Sequence, residues 1–257
     1  MSVAINNTPL IEVQNLFQKI GTQEILRGIT LSIYPWETLV LLGRSGGGKS
    51  VFLRHLIGLM KPVCGKILFE GKDITQLNER QLRPIRCKIG MLFQDGALFD
   101  SLSVFDNVAF PLREHGMQDE KEIREKVHKA LALVNIIGHD GKAPVDLSGG
   151  MRKRVALARA IISPPSVILY DEPTAGLDPV VSDSINRLIR RLQGQLRVTS
   201  IVVTHDMVSA YRIGDRIALL DQGRIYFCGS PRQLRFSGDP IIRNFIEGRS
   251  LENSKTE

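Results

Sequence analysis

The eight residues Gly43-Arg44-Ser45-Gly46-Gly47-Gly48-Lys49-Ser50 set glycines ahead of a lysine and a hydroxyl in the spacing G-x-x-x-x-G-K-S. That order suits the holding of a chain of phosphates. Glycines let successive backbone N–H groups turn inward around phosphate oxygens. A helix that starts at Lys49 and carries Val51 in its first turn adds the positive end of its dipole. Lys49 then brings a point charge to the β- and γ-phosphates, and Ser50 offers a hydroxyl to Mg2+. A plain glycine turn shares this composition. The apolar run 39–42 before the loop and the apolar helical pattern 49–60 after it favour the phosphate cradle.

A second group lies far along the chain. Val167-Ile168-Leu169-Tyr170 reads as a buried strand ending in Asp171 and Glu172. A carboxylate at that place can hold Mg2+ directly or through water, and Asp171 is assigned to the metal. Successive strand residues point to opposite sides, so Glu172 is expected to face an attacking water as general base. Alone, an apolar strand ending in Asp-Glu is a weak signal. Downstream of a phosphate loop it becomes specific.

Between the two groups stands Leu147-Ser148-Gly149-Gly150-Met151, followed by Arg152-Lys153-Arg154-Val155-Ala156-Leu157-Ala158-Arg159. Ser148 and the amides of Gly149 and Gly150 open a helix and offer an anion site, although Ser148 could equally be an ordinary N-cap. The string resembles the signature of ABC ATPases, LSGGQ followed by a basic residue, with Met151 in place of the usual glutamine. The resemblance runs from about Ile11 to Ile246. It implies an α/β P-loop NTPase: an ABC ATPase core with an N-terminal antiparallel β subdomain and an inserted helical subdomain. It implies ATP and Mg2+ as ligands, ATP hydrolysis, and two copies closing head to tail. Ser148, Gly149 and Gly150 of one copy would then face the γ-phosphate held by the other. By the same resemblance, Gln94 after strand 89–93 senses Mg2+ and the attacking water. Gly176-Leu177-Asp178 links the two sites, and His205 after strand 200–204 contacts the γ-phosphate. One position departs from the family. Ile20 stands where an aromatic residue usually stacks on the adenine, and Phe17 is out of register, so weaker base stacking is expected.

These residues need elements to hold them. Alternating apolar positions at 10–16 and 25–33 predict antiparallel strands joined by a turn at Gly21. Further strands are predicted at 67–69 and 89–93, and a hairpin at 217–227 turned at Gln222-Gly223. Helical spacing marks 120–136, 149–162 and 180–192. One ABC-type domain over 8–248, with a helical insert at about 95–160 and a flexible polar tail at 249–257, accounts for the pattern.

Composition narrows the rest. The chain has 257 residues, 43% of them hydrophobic, enough for a substantial core. No apolar run approaches the ~18 residues of a membrane span. The start MSVAINNTPL lacks the basic start and apolar core of a secretory signal. Cys64, Cys87 and Cys228 have neither zinc nor disulfide spacing and read as free thiols of a reducing cytosol. The net charge of +7 is spread along the chain, so no nucleic acid partner is expected.

A narrower resemblance lies after Gln94. The segment 91–99 and its continuation 104–115 look like the ATPase of the Mla/Mce-type lipid-trafficking importers of bacteria. That implies an integral membrane permease as partner, an Mce-type substrate-binding protein and a small STAS-type subunit. It also implies a peripheral place on the cytoplasmic face of the inner membrane. Ala97, Leu98, Phe99 and Phe105 are candidate apolar contacts for the permease's coupling helix. Three other readings stand beside this one: a transporter ATPase with another cargo, a soluble ABC ATPase of DNA repair, translation or cluster assembly, and a non-hydrolysing regulator, against which intact Lys49, Asp171, Glu172 and His205 speak. Against the soluble reading are a single nucleotide domain, no coiled-coil insert, no zinc pattern and no second signature.

Overall fold

The computed structural model describes residues 8–249, so the expected tail lies, beyond Arg249, outside the described residues. The hairpin β1 (Ile11–Ile20) and β2 (Gln23–Ile33) leads into β3 (Thr38–Gly43) and helix α1 (Lys49–Leu56). Then come β4 (Cys64–Phe69), β5 (Lys72–Asp73), α2 (Glu79–Arg86) and β6 (Ile89–Leu92). Three helices follow, α3 (Val104–Glu114), α4 (Glu120–Leu133) and α5 (Gly149–Ile161). The α/β alternation resumes with β7 (Val167–Asp171), α6 (Pro179–Leu196), β8 (Thr199–Thr204) and α7 (Met207–Ile213). The hairpin β9 (Arg216–Asp221) and β10 (Arg224–Gly229) and two short helices, α8 (Pro231–Arg235) and α9 (Pro240–Ile246), complete the described chain.

Two sheets form. One is antiparallel, in the order β2-β1-β4-β5. The other runs β10-β9-β3-β8-β7-β6 and is parallel except for β10. Its central strands are buried on both faces, and their side chains divide by the two-residue period of a strand. Val40, Leu42, Ile168, Tyr170, Val202, Ile217 and Leu219 join the core shared with α3 to α7. Leu39, Leu41, Val167, Leu169, Ile201, Val203, Ala218 and Leu220 join the core shared with α1 and the antiparallel sheet. Helices α3 and α4 pack on each other and on α5. Among the described residues no helix is long and apolar enough to cross a membrane.

Three local expectations change. Helix α1 ends at Leu56 rather than at 60, because Gly58 adopts φ +65. There the N–H groups of Gly58 and Leu59 turn back to the carbonyls of His55 and Arg54 at 3.0 and 2.9 Å, a left-handed glycine stop. Helix α2 was not anticipated, since its interior holds Pro84 and few apolar residues. A capping box starts it, with Asn78 accepting from the Gln81 N–H and the Gln81 side chain accepting from the Asn78 N–H, both at 3.0 Å. The short helices α7, α8 and α9 were also unanticipated. Each is capped by its own polar residue, Asp206, Ser230 or Asp239.

Candidate active site

The parallel strands deliver their loops to one edge. The phosphate loop follows β3, Gln94 follows β6, Asp171 ends β7 and His205 follows β8. In an open parallel sheet the crevice at the carboxyl ends of the strands is where ligands bind. Gly48 stands at φ +94 as the N-cap of α1, and a Cβ there would meet Ile25 Cγ2 at 2.9 Å, so the close turn onto β2 requires glycine. The first-turn amides of α1, those of Lys49, Ser50 and Val51, have no acceptor within the helix and point out of its N-terminus.

The side chains meet closely. Lys49, only 5% exposed, donates from Nζ to the carbonyls of Gly43 at 2.9 Å and Arg44 at 3.0 Å. Glu172 Oε1 lies 3.3 Å from that ammonium, and Glu172 Oε2 lies 3.0 Å from His205 Nδ1. Ser50 Oγ donates to Asp171 Oδ1 at 2.8 Å. Burial lifts the Asp171 carboxyl above its usual range; the Ser50 hydrogen bond opposes the rise and the Glu172 charge adds to it. A buried carboxylate that is costly to ionise, beside a hydroxyl, fits a small hard cation such as Mg2+. Among the described residues no cluster of three His, Cys, Asp or Glu side chains could cage a metal. Mg2+ would therefore keep places for water and phosphate, as it usually does.

The aim of Glu172 has a different origin from the one expected. Strand β7 ends at Asp171, and Glu172 leaves it at φ +46 with its N–H on the Val203 carbonyl at 2.9 Å. A left-handed turn, and not strand alternation, brings its carboxylate to Lys49 and His205.

Other expected residues stand apart from this cluster. Gln94 is exposed, and its side chain makes no hydrogen bond among the described residues. Its carbonyl accepts from Lys153 Nζ, a contact that fastens α5 to the end of β6. Arg44, Ser45 and Gly46 are exposed, while Gly47 is half-buried. Ser148 Oγ accepts from the Met151 N–H at 3.3 Å and so does cap α5. Gly150 lets α5 approach α6, for a Cβ there would lie 2.6 Å from Val181 Cγ1. Among the described residues no hydrogen bond joins residues 148–150 to the phosphate loop or His205. Ile20 is 51% exposed at the hairpin end, and Phe17 is turned onto Gly28 within the hairpin. The cavity beside Gly46 and Gly47 is walled by Gln23, Glu24, Ile25, Arg27, Gln222 and Gly223, with no aromatic ring.

Of the four candidate permease contacts, two line one groove. Ala97 and Phe99 line a groove of about 750 Å³ with Phe93 and Phe110, whereas Leu98 and Phe105 pack against the core under α3 and α4. Arg159 fixes the segment by donating to the carbonyls of Gly96 at 2.9 Å and Ala97 at 2.8 Å. Phe99 lies between the Arg159 guanidinium, 5.8 Å from its centroid, and the Phe110 ring at 4.8 Å. Sequence reasoning missed Lys153. Burial lowers its pKa, and the charges of Asp95, Asp171 and Glu172 oppose that shift. Only its place in the basic run after Met151 hinted at it.

Residues 26–175 match the family described as ABC transporter. The chain belongs to this family. Like its members, this ABC ATPase binds and hydrolyses ATP. It is 44% identical over 241 residues to the probable ribonucleotide transport ATP-binding protein mkl of Mycobacterium tuberculosis, covering 94% of this chain and 67% of that protein. It is 41% identical over 244 residues to the intermembrane phospholipid transport system ATP-binding protein MlaF of Haemophilus influenzae, covering 95% and 92%. The dimeric post-hydrolysis structure of the ATP-binding cassette MJ0796 bound to ADP and Pi matches with TM-score 0.79 and 31% identity, over 86% of this chain and 99% of that one.

Proposed function

We propose that this ABC ATPase is the motor of a bacterial transporter that moves phospholipid through an inner-membrane permease, working as a head-to-tail pair on the cytoplasmic face. The observation that carries the motor reading is the Glu172 carboxylate set between Lys49 and His205, beside the Ser50–Asp171 pair. Lys49 and the amides of residues 43–51 hold the phosphates of ATP. Phosphate oxygens then compete with Glu172 for the ammonium, leaving the carboxylate to orient water with His205 and take up its proton. Ser50 and Asp171, with Gln94, would hold Mg2+, which when bound would supply positive charge to the phosphate oxygens. The dimer reading is supported by the exposed helix N-terminus at Ser148, by its lack of a hydrogen bond to the loop of its own chain, and by the dimeric cassette that this chain resembles. The second copy's Ser148, Gly149 and Gly150 would close each site.

The lipid reading rests on the relative named for phospholipid transport and on the fixed aromatic groove at Phe99, which suits a permease helix. The relative named for ribonucleotide transport favours a transporter with another cargo as the second reading. A Mce-type binding protein and a STAS-type subunit complete the lipid version. Affinity purification of the tagged chain from detergent-solubilised host membranes, with mass spectrometry of proteins and lipids, tests it. A polytopic permease arriving with an Mce-type protein and phospholipid is the expected result. A different permease without lipid overturns the cargo, and the absence of any membrane partner overturns the transporter.

A further inference from the structure

Behind Glu172 and His205 lies a cavity of about 400 Å³, walled by residues 174–177, the start of α6 and the turn at 204–208. Two polar side chains are fully buried here, Asn186 in that wall and Ser209 next to it in the chain after Val208. Asn186 on α6 is 2% exposed and Ser209 on α7 is 0% exposed. On α6 the other buried positions are Ile185, Leu188, Ile189 and Leu192, so packing alone would take another apolar residue at 186. Asn186 Nδ2 instead donates to Ser209 Oγ at 2.8 Å, and Ser209 Oγ donates to Asp206 Oδ2 at 2.5 Å. Thr174 Oγ1 lies 3.4 Å from the same Ser209 oxygen. Asp206 in turn caps α7 through the N–H groups of Val208 and Ser209, and its own N–H donates to Thr204 Oγ1 at 3.0 Å. Asn186 Oδ1 is buried with no protein partner, a cost that an apolar residue would avoid.

The groups that this network joins are informative. Asp206 is the neighbour of His205. Thr174 is two residues from Glu172, whose φ of +46 a glutamate keeps only where its surroundings fix it. We infer that Asn186, Ser209 and Thr174 form a buried polar clasp that holds the turn of His205 in register with the turn after Glu172, and that they are positioning residues for that pair. The inference rests on the assignment of Glu172 and His205 to hydrolysis. Among the described residues the side chains of Asn186, Ser209 and Thr174 make no hydrogen bond to Lys49, Ser50, Asp171 or Glu172. The clasp acts by keeping the carboxylate and imidazole at their 3.0 Å separation while α6 and α7 move with the rest of the cassette. Its Asn186–Ser209–Asp206 hydrogen bonds couple a shift of α6 to the turn of His205.

Steady-state ATPase and ATP binding of the purified full-length chain test this. Ser209→Ala and Asn186→Leu each lower kcat about tenfold while KM and the Kd for ATP stay within about twofold. The double variant is no slower than the worse single one, because either change opens the same clasp. Thr174→Ser, which keeps the hydroxyl, stays closer to the parental rate than the near-isosteric Thr174→Val. Thermal unfolding of each variant shows what fraction is folded at the assay temperature. Wild-type kcat in Ser209→Ala and Asn186→Leu, or losses fully accounted for by unfolding, overturns the clasp. His205→Ala is measured beside them. If it is inactive while the clasp variants are normal, only the clasp fails. If it turns over normally, the catalytic assignment fails as well.

Discussion

Asp171 and Glu172 are neighbours with opposite electrostatic situations. Glu172 has a cationic partner at 3.3 Å in Lys49, while Asp171 accepts from the Ser50 hydroxyl at 2.8 Å, has the Arg54 and Lys49 charges only at longer range, and is 8% exposed. Burial therefore raises the Asp171 pKa above its unfolded value. A carboxyl raised in this way contributes stability that is complete below the unfolded pKa and is lost as pH rises through the raised one. Above its raised pKa an ionised Asp171 weighs against the nucleotide-free fold. Asp171→Asn is thus expected to raise the melting temperature of the nucleotide-free protein at pH 7, and the gain should shrink as pH falls through and below the carboxylate range. The same variant is expected to lose Mg2+-dependent turnover by about a hundredfold. Calorimetry across pH, beside an ATPase assay, checks both. A melting temperature at pH 7 equal to or below the parent's contradicts the burial argument. At this scale the grouping of the phosphate loop, Asp171 and Glu172 was legible because each follows an apolar strand, and His205 was pointed to by the family resemblance; the structure brings these side chains together. Lys153 and the Asn186–Ser209 pair were not. Their partners lie 59 and 23 positions away, and an isolated polar residue on a helix carries no periodic signal.

Elements decide what the side chains can reach. Helix α5 carries the capped N-terminus at Ser148 and, with α3 and the loop after β6, walls the aromatic groove. Lys153 and Arg159 on α5 bind the backbone of Gln94, Gly96 and Ala97. One helix therefore connects the signature, the loop after β6 and the floor of the groove. Phe99 is 44% exposed, makes no contact with the nucleotide cluster, and is held by Arg159 and Phe110. Phe99→Ala should leave ATP affinity within about twofold of the parent and lower lipid transport by the reconstituted complex about tenfold or more, since truncating a central aromatic anchor commonly removes 2 kcal/mol or more of binding. Transport at the parental rate contradicts the assignment of the groove. The strands of the parallel sheet were legible in the sequence because their residues are apolar on both faces. The end of α1 and the existence of α2 were not. One is set by a single left-handed glycine, and the other by a capping box on a helix that contains a proline. Sequence could not separate Phe99 from Phe105, because Phe99 lies in the loop before α3, whose course is set by the distant Arg159, whereas Phe105 lies on α3 and packs against the core.

The whole molecule is divided between two faces. The carboxyl edge of the parallel sheet gathers the phosphate loop, the carboxylates and His205, while the N-terminus of α5 presents Ser148 to solvent without a hydrogen bond to that loop. In the proposed function a second copy, turned head to tail, would let each half of the site meet its complement. ATP would then serve as the adhesive and hydrolysis would release it, giving a permease an alternation of closed and open pairs. The central claim is that closure, and sedimentation of Glu172→Gln in the presence of Mg2+ tests it most directly. With the base removed, ATP is bound but not consumed. The account predicts a dimer in saturating ATP, a monomer in ADP, and a monomer in ATP when Ser148→Arg is added. A Glu172→Gln chain that binds ATP and remains monomeric would contradict it.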